Sequence, residues 1–317
     1  MTPDYPVVSR PLCEAQELAA YVQSMRLEAL PVLNGLFKAS VSSIDLDDVT
    51  LEIIHSDPVL LLGQAAEDRS GFFLMLDERG ETKWNGASVG ESQIAPFGEG
   101  CPIAIASRAT LNCAIVSFNG SEAVGLLSRR RHQLWQDQRD QVMHVDGRTH
   151  AQLTAFAYAA EQITLTGAGA LGSADAFRAQ CVMFQDEVRN LFAPPERSPP
   201  HRRGRPPSRV QIVRKADYYL QANPARPIYT EELCAVLGVS ASCLHVAFEA
   251  TFGLSPHRYL KLRRMAMVRA MLLLGSAPWH SVKAAALSHG FWHLGQFAHD
   301  YRALYGESPS ETLVRAQ

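Results

Sequence analysis

Two segments in the last quarter of the chain repeat one pattern of apolar and polar positions. In each, a large apolar residue occupies every fourth position three times and a Gly-x-Ser-Pro sequence follows; the segments are residues 244–256 and 297–309. Positions four apart lie on one face of an α-helix, glycine commonly ends a helix, and Ser-Pro starts a new one. The pattern therefore predicts two short helices, each with one buried face.

A second short apolar helix and a glycine turn precede each of these helices. The turns contain Gly238 and Gly290, and the complete helix-turn-helix units span residues 230–252 and 282–305. A unit of this kind places its second helix in the major groove of DNA. One copy alone also fits an ordinary helical hairpin, but two copies in register favour DNA binding.

The C-terminal part of the chain resembles the AraC/XylS family of bacterial transcription regulators, whose DNA-binding region is a tandem pair of such motifs joined by a long helix. The resemblance covers roughly residues 209–317. It rests on Phe252-Gly-x-Ser-Pro256, on Gly290-Phe-Trp-His-Leu-Gly-Gln-Phe297 and on Tyr305-Gly-Glu-Ser-Pro-Ser-Glu-Thr-Leu313. Within the family, the second of these runs is most similar to regulators of ethanolamine utilisation.

The resemblance also implies which residues read the DNA bases. No arginine stands at the positions where relatives contact bases, so these helices cannot offer guanine a bidentate guanidinium. Phosphate contacts and the shape of the DNA are then expected to carry more of the specificity. The expected base-reading residues are Ser242, His245 and Val246 in the first motif and Leu294, Gly295, Gln296 and His299 in the second.

Charge divides the chain into two unlike parts. Residues 1–196 carry a net charge of −11, whereas residues 197–317 carry +9. Only the second part has the positive charge that favours binding to a polyanion such as DNA. Repulsion between the negative first part and the phosphates is expected to keep that part away from DNA. The residues expected to contact phosphates are Ser240, Arg258, Lys261, Arg263, Arg264 and Arg302.

A segment rich in proline and arginine separates the two parts. Residues 193–209 have almost nothing to bury, which predicts an extended linker. Inside it, Arg202-Arg-Gly-Arg-Pro206 resembles an AT-hook, a short arm that enters the minor groove of A·T-rich DNA. Arg203 and Arg205 are therefore candidates for a minor-groove arm. The alternative is a basic spacer that contacts nothing.

The sequence pattern of the first part predicts an α+β fold. Residues 12–29 suggest an amphipathic helix, and several short apolar or alternating runs up to residue 118 predict strands of an antiparallel barrel or sandwich. In relatives, this region is a cupin-like barrel followed by helices through which the protein dimerises. We therefore expect a cupin-like β domain at residues 1–120, a helical dimerisation region at 121–192 and an all-α DNA-binding domain at 210–317.

The helix at residues 174–191 is our candidate for the contact between the two copies of a homodimer. Phe184 lies on its apolar face, close to the linker. The alternative is that this face packs on its own barrel.

The front part gives little sign of chemistry. Its histidines are isolated and no nucleotide-binding or nucleophile motif is present, so we expect no metal, no cofactor and no catalytic residue. The six cysteines lack metal spacing and are expected to be reduced thiols of a cytoplasmic protein, with no membrane segment. The candidates for the lining of an effector pocket are Phe72, Met75, Trp84 and Phe97, although apolar residues on strands more often form the core.

The sequence thus predicts a sequence-specific DNA-binding transcription regulator, an activator controlled by an unidentified small-molecule effector. A homodimer is expected, and the family resemblance adds RNA polymerase as a partner. Two alternatives remain open. One is an architectural DNA binder of the nucleoid type, and the other is a cupin-like enzyme with a DNA-binding tail.

Overall fold

The structure is a computed structural model, and it describes residues 7–46, 49–77, 81–119, 142–166, 174–191, 209–223, 226–274 and 281–316. Arg209, the last residue of the predicted linker, begins a helix, whereas residues 121–141 and the linker residues 193–208 lie outside the described ranges. Within them, the chain forms twelve strands in two antiparallel sheets and ten helices. This is the predicted α+β layout, but the two sheets remain separate and do not close into a barrel.

The strands occupy the first part of the chain. Their bounds are β1 (Val7–Leu12), β2 (Met25–Pro31), β3 (Ala39–Leu46), β4 (Val49–Ser56), β5 (Val59–Ala65), β6 (Arg69–Met75), β7 (Thr82–Trp84), β8 (Ala87–Val89), β9 (Gln93–Phe97), β10 (Pro102–Ser107), β11 (Leu111–Asn119) and β12 (Met143–His144). The larger sheet has the order β1-β3-β4-β11-β6-β9-β12 and the smaller one β2-β5-β10-β7-β8.

Of the helices in the described ranges, one lies among the strands and nine follow them. They are α1 (Ala15–Tyr21), α2 (Gly147–Thr166), α3 (Ala174–Leu191), α4 (Arg209–Ala222), α5 (Thr230–Leu237), α6 (Ala241–Phe252), α7 (Pro256–Leu274), α8 (Val282–Ser288), α9 (Leu294–Tyr305) and α10 (Pro309–Arg315). No single helix in the described ranges has the length and apolar character of a membrane span. The pair α5 and α6 reaches that length and apolar character only when the two helices are counted together across a 101° bend.

Both sheets are covered on both faces, which explains why several strands are apolar at consecutive positions. Alternate residues of a strand point to opposite faces. On β11, Ile115 lies between the two sheets, whereas Val116 lies under α2 and α3. On β5, Leu61 lies between the sheets, whereas Leu60 and Leu62 point outward and pack against the C-terminal helices.

The predicted helix at residues 12–29 is wrong for most of its length. Only α1 is helical, and Met25 begins strand β2. The residues between them are held by a buried carboxylate, because Glu52 accepts hydrogen bonds from the backbone N–H groups of Gln23 and Ser24. Pairing of β2 with β5 along seven residues then outweighs the helical spacing of the apolar side chains.

The candidate effector-pocket residues are core residues instead. Trp84 lies between Phe73 and Phe97, with ring centroids 5.2 and 6.0 Å away, and Met75 belongs to the same cluster between the sheets. Phe72 points to the opposite face of the larger sheet, under α2 and α3. These four side chains therefore do not line a common pocket.

The predicted apolar face of α3 packs on its own domain. Cys181, Phe184 and Val188 are buried against α2 and the larger sheet, and the Phe184 ring stacks on Phe156 with centroids 4.1 Å apart. The alternative left open by the sequence is therefore correct for this face. A dimer contact through α3 would have to use its outer face, where Met183 is exposed.

The two parts of the molecule share a hydrophobic cluster. Leu30, Leu60 and Leu62 on the outer face of the smaller sheet belong to the same cluster as the apolar stripes of α6 and α9. Two buried arginines of α7 add ion pairs to the front part. Arg269 pairs with Glu14 at 2.6 Å and Arg263 with Glu28 at 3.2 Å.

We expect Phe184→Asp to lower the free energy of unfolding by about 4 kcal/mol or more, because it removes a buried ring and buries a charge without a partner. Met183→Asp, on the exposed side of the same helix, is the matched control and should change stability by less than about 0.5 kcal/mol. Urea unfolding measures both. A folded Phe184→Asp protein of unchanged stability would show that this ring is not part of the core.

The contact between α4 and α7 predicts a pH dependence of stability. Burial raises the pKa of Asp217 to about 6, although Arg263, whose Nη1 donates to it at 3.0 Å, lowers it. Because the folded state binds this proton more tightly than the unfolded state, the contribution is present below about pH 4 and is lost as the pH rises through 6. Burial also raises the pKa of Glu28 beside it.

We therefore expect Asp217→Asn to reduce the stability gained between pH 7.5 and pH 5.5 by about 1 kcal/mol. Thermal unfolding at the two pH values measures the effect. Asp68→Asn, at an exposed turn, is the control. An equal pH dependence in the wild-type and Asp217→Asn proteins would contradict this assignment.

Candidate nucleic-acid interface

The first helix-turn-helix unit consists of α5 and α6. Gly238 ends α5 in the left-handed conformation with φ of +64°, and Ser240 caps α6 by accepting a hydrogen bond from the Cys243 N–H at 3.1 Å. Gly253 ends α6, again left-handed, with φ of +67°. Glycine and the serine cap therefore fix the turn and the direction of the second helix.

The second unit consists of α8 and α9. Its turn contains Gly290 with φ of +76°, and a Cβ atom there would lie 2.6 Å from the Tyr229 hydroxyl. Gly306 ends α9 in the left-handed conformation, and Ser308 starts α10 with a reciprocal capping box formed with Glu311. Both units thus end as the repeated Gly-x-Ser-Pro pattern predicts.

The repeated apolar stripes are buried, and α7 joins the two units. The rings of Phe248 and Phe252 pack against Tyr259 of α7, each with centroids 5.2 Å apart. Within the stripe of the second unit, the Tyr301 ring contacts the rings of Phe297 and Tyr305, with centroids 5.6 and 4.6 Å apart. Burial of one side of each helix leaves the opposite side to meet a partner.

The predicted base-reading residues lie on that opposite side. All are exposed except Leu294, which is half-buried. They are Ser242, His245 and Val246 on α6 and Leu294, Gly295, Gln296 and His299 on α9. Their role in base recognition stays a prediction.

Three of the predicted phosphate contacts are accessible. Arg258 on α7 and Arg302 on α9 are exposed, as is Ser240. The Ser240 oxygen accepts the hydrogen bond that caps α6, which leaves its hydroxyl hydrogen free to donate to a phosphate. These three positions remain candidates for phosphate binding.

The other three candidates are engaged within the protein. Lys261 donates to Asp300 at 2.6 Å. Arg263 is only 8% exposed and is paired with Asp217 and Glu28, so it is not available to phosphate in this structure. The spacing of the sequence does indicate this burial, because Arg263 stands four residues after the buried Tyr259 and therefore lies on the same face of α7. The positive charge of Arg263 had instead suggested a phosphate contact.

Arg264 joins the two units to each other. Its guanidinium lies over the Tyr229 ring at 5.2 Å and over the Phe291 ring at 5.1 Å, and burial lowers its pKa. Tyr229 precedes α5 and Phe291 lies in the turn before α9. Arg264 is therefore placed as a structural bridge between the motifs.

Two features of this surface were missed from the sequence. Trp292 is 70% exposed in the turn of the second unit, next to the exposed His293 at the start of α9. An aromatic residue in a turn between two amphipathic helices is the signal that marks it. The second feature is Asp300, which contacts both Lys261 and Gln296. Arg203 and Arg205 lie outside the described residues.

The C-terminal part of the chain contains two helix-turn-helix units joined by one long helix. The outer faces of both units are exposed, and basic residues lie around them. This arrangement defines a double helix-turn-helix DNA-binding domain.

Comparison with known proteins agrees. The family described as "Helix-turn-helix domain" matches residues 233–315. The crystal structure of a probable AraC family transcriptional regulator from Rhodopseudomonas palustris is 44% identical, covering 33% of this chain and 97% of that one, with a TM-score of 0.31.

Curated relatives match the same region. The "Probable thc operon regulatory protein" of Rhodococcus erythropolis is 37% identical over 107 residues, which are 34% of this chain and 32% of the relative. The "XylDLEGF operon transcriptional activator" of Pseudomonas putida is 38% identical over 95 residues, 30% of each chain. The matches thus span about a third of the curated relatives' length. The chain belongs to the AraC/XylS family of transcription regulators.

The different positions of Arg258 and Arg263 give opposite expectations for DNA binding. Arg258→Ala should weaken binding to all sequences alike and reduce the slope of log affinity against log salt by about one unit, because one phosphate contact is lost. Arg263→Met should leave that slope unchanged and instead lower the melting temperature, because Asp217 and Glu28 lose their cation. Filter binding over a salt series distinguishes the two. A reduced slope for Arg263→Met would place this side chain on the DNA.

Proposed function

We propose that this protein is a sequence-specific DNA-binding regulator that activates transcription of an operon under the control of a small-molecule effector. The observation that carries the proposal is the pair of reading helices, α6 and α9, whose apolar stripes are buried while their opposite faces are free. The names of the relatives, an operon regulatory protein and an operon transcriptional activator, support the regulatory role. RNA polymerase and a second copy of the chain belong to the proposal as partners.

The contacts between the front domain and the reading helices support a route for effector control. The last carbonyl groups of a helix have no partner within the helix and favour positive charge. At the end of α6, Lys83 donates to the carbonyl of Ala250 at 3.1 Å and Arg108 to that of Gly253 at 2.7 Å. At the end of α9, the Gly35 N–H donates to the carbonyl of Ala303 at 3.0 Å.

The front domain thus holds both reading helices at equivalent ends. The tip of the β7–β8 hairpin, at Asn85 and Gly86, lies against the end of α6, and both residues have the positive φ values that an Asn-Gly turn requires. We propose that an effector bound by the front domain changes these contacts and with them the spacing of α6 and α9.

The proposal is tested by selecting genomic fragments with the full-length protein. We expect the fragments to share two short conserved segments about 10–10.5 base pairs apart, because two reading helices on one face of DNA enter successive major grooves. His245→Ala should alter base preference in one segment and leave the other unchanged. Competition with unrelated DNA separates the proposal from the architectural alternative: equal affinity for operator and random DNA would support a sequence-blind binder.

A further inference from the structure

A chain of three polar side chains crosses from α7 to the outer face of α9. The Gln296 amide N–H donates to Asp300 Oδ1 at 2.9 Å, one helical turn further along α9. The other carboxylate oxygen of Asp300, Oδ2, accepts from Lys261 Nζ at 2.6 Å. Gln296 is exposed on the face predicted to read bases, whereas the Asp300 side chain is only 21% exposed.

This arrangement restricts a side chain that is otherwise free to rotate. A glutamine on a helix surface samples several rotamers, and its amide has two chemically different ends. A charge-assisted hydrogen bond to a carboxylate that is itself anchored selects one orientation of the amide. The Gln296 oxygen and its second N–H hydrogen then remain free to bind a partner.

The first unit has no equivalent arrangement. His245 and Glu249 have the same i, i+4 spacing on α6, but His245 Nε2 and Glu249 Oε1 are 4.0 Å apart, and no lysine or arginine among the described residues forms an ion pair with the glutamate. Both side chains are about half exposed. The Asp300 contacts are therefore a property of the second reading helix and do not follow from the repeated sequence pattern.

Asp300 is negatively charged, yet it lies on a surface that is expected to face the phosphates of DNA. An unpaired carboxylate there would repel the DNA backbone. Burial opposes ionisation of Asp300, but the hydrogen bonds from Lys261 and Gln296 outweigh it and lower its pKa. The Lys261 ammonium thus keeps the acceptor ionised and offsets its charge.

We infer that Asp300, held by Lys261, is a positioning residue that presents the Gln296 amide to an adenine in the major groove. Adenine presents an acceptor at N7 and a donor at N6, which match the N–H donor and the oxygen acceptor of a glutamine amide. The inference rests on the proposed DNA-binding function and deepens it by naming the base class read by α9. It also gives Lys261 a role as an anchor in place of its expected role as a phosphate ligand.

The test is selection from a randomised operator library with four full-length proteins: wild type, Gln296→Ala, Asp300→Ala and the double variant. We expect the wild type to prefer adenine at one base pair. Asp300→Ala should reduce that preference about ten-fold while leaving the positions read by α6 unchanged. In the double variant, Asp300→Ala should add nothing to the effect of Gln296→Ala, because the two residues act through one amide.

Two further variants separate positioning from a general structural role. Glu249→Ala, the matched acid on α6, should leave the adenine preference intact. Asp300→Asn keeps an acceptor for the glutamine but loses the ion pair with Lys261, and should retain part of the preference. Melting temperatures confirm that each variant is folded.

The possible outcomes bear on different claims. An adenine preference that survives Asp300→Ala, or an Asp300→Ala effect of full size in the Gln296→Ala background, would overturn the positioning role while leaving sequence-specific binding in place. A wild-type protein that selects no sequence would overturn the proposed function and this inference with it.

Discussion

The architecture depends on how the outer face of the smaller sheet is covered. Strand β5 carries Leu60 and Leu62 on that face, and exposed leucines at alternate positions of a sheet would remain in contact with water unless another element packed on them. The helices of the C-terminal domain provide this cover. Their apolar stripes and the sheet share one cluster, so the surface that stabilises each helix-turn-helix unit also joins it to the front domain.

The opposite net charges of the front and C-terminal domains have a second consequence, which is seen in the ion pairs at the contact between the two domains. The acidic front domain contributes Glu14 and Glu28, and the basic C-terminal domain contributes Arg269 and Arg263. Charges of opposite sign therefore meet inside the molecule as well as between protein and DNA. Because removing one partner of a buried pair leaves an uncompensated charge, these pairs disfavour other ways of docking the two domains. They also remove two arginines from the set available to phosphate.

The two reading helices share a plan but differ in how their polar side chains are held. Both are capped by left-handed glycines and contacted by the front domain at their C-terminal ends. On α9, Gln296 is tied to the connecting helix through Asp300, whereas His245 on α6 has no such restraint. A restrained side chain loses less entropy on binding, which favours discrimination between bases. In the proposed base-reading role of Gln296, the second motif is thus better organised before DNA is bound.

The sequence by itself determined the features set by local periodicity and by residues with special backbone conformations. The two helix-turn-helix units, their glycine ends and their buried stripes follow from spacing alone, since i, i+4 positions share a helix face and glycine tolerates positive φ. Tertiary structure decided the rest. Met25 lies in a strand because β5 offers a pairing partner, and Phe184 faces its own domain because α2 lies beside it. Arg263 is buried at a contact with Glu28, a residue distant in sequence that forms an ion pair with it. Such outcomes depend on which surfaces meet in three dimensions, and one-dimensional spacing does not contain that information.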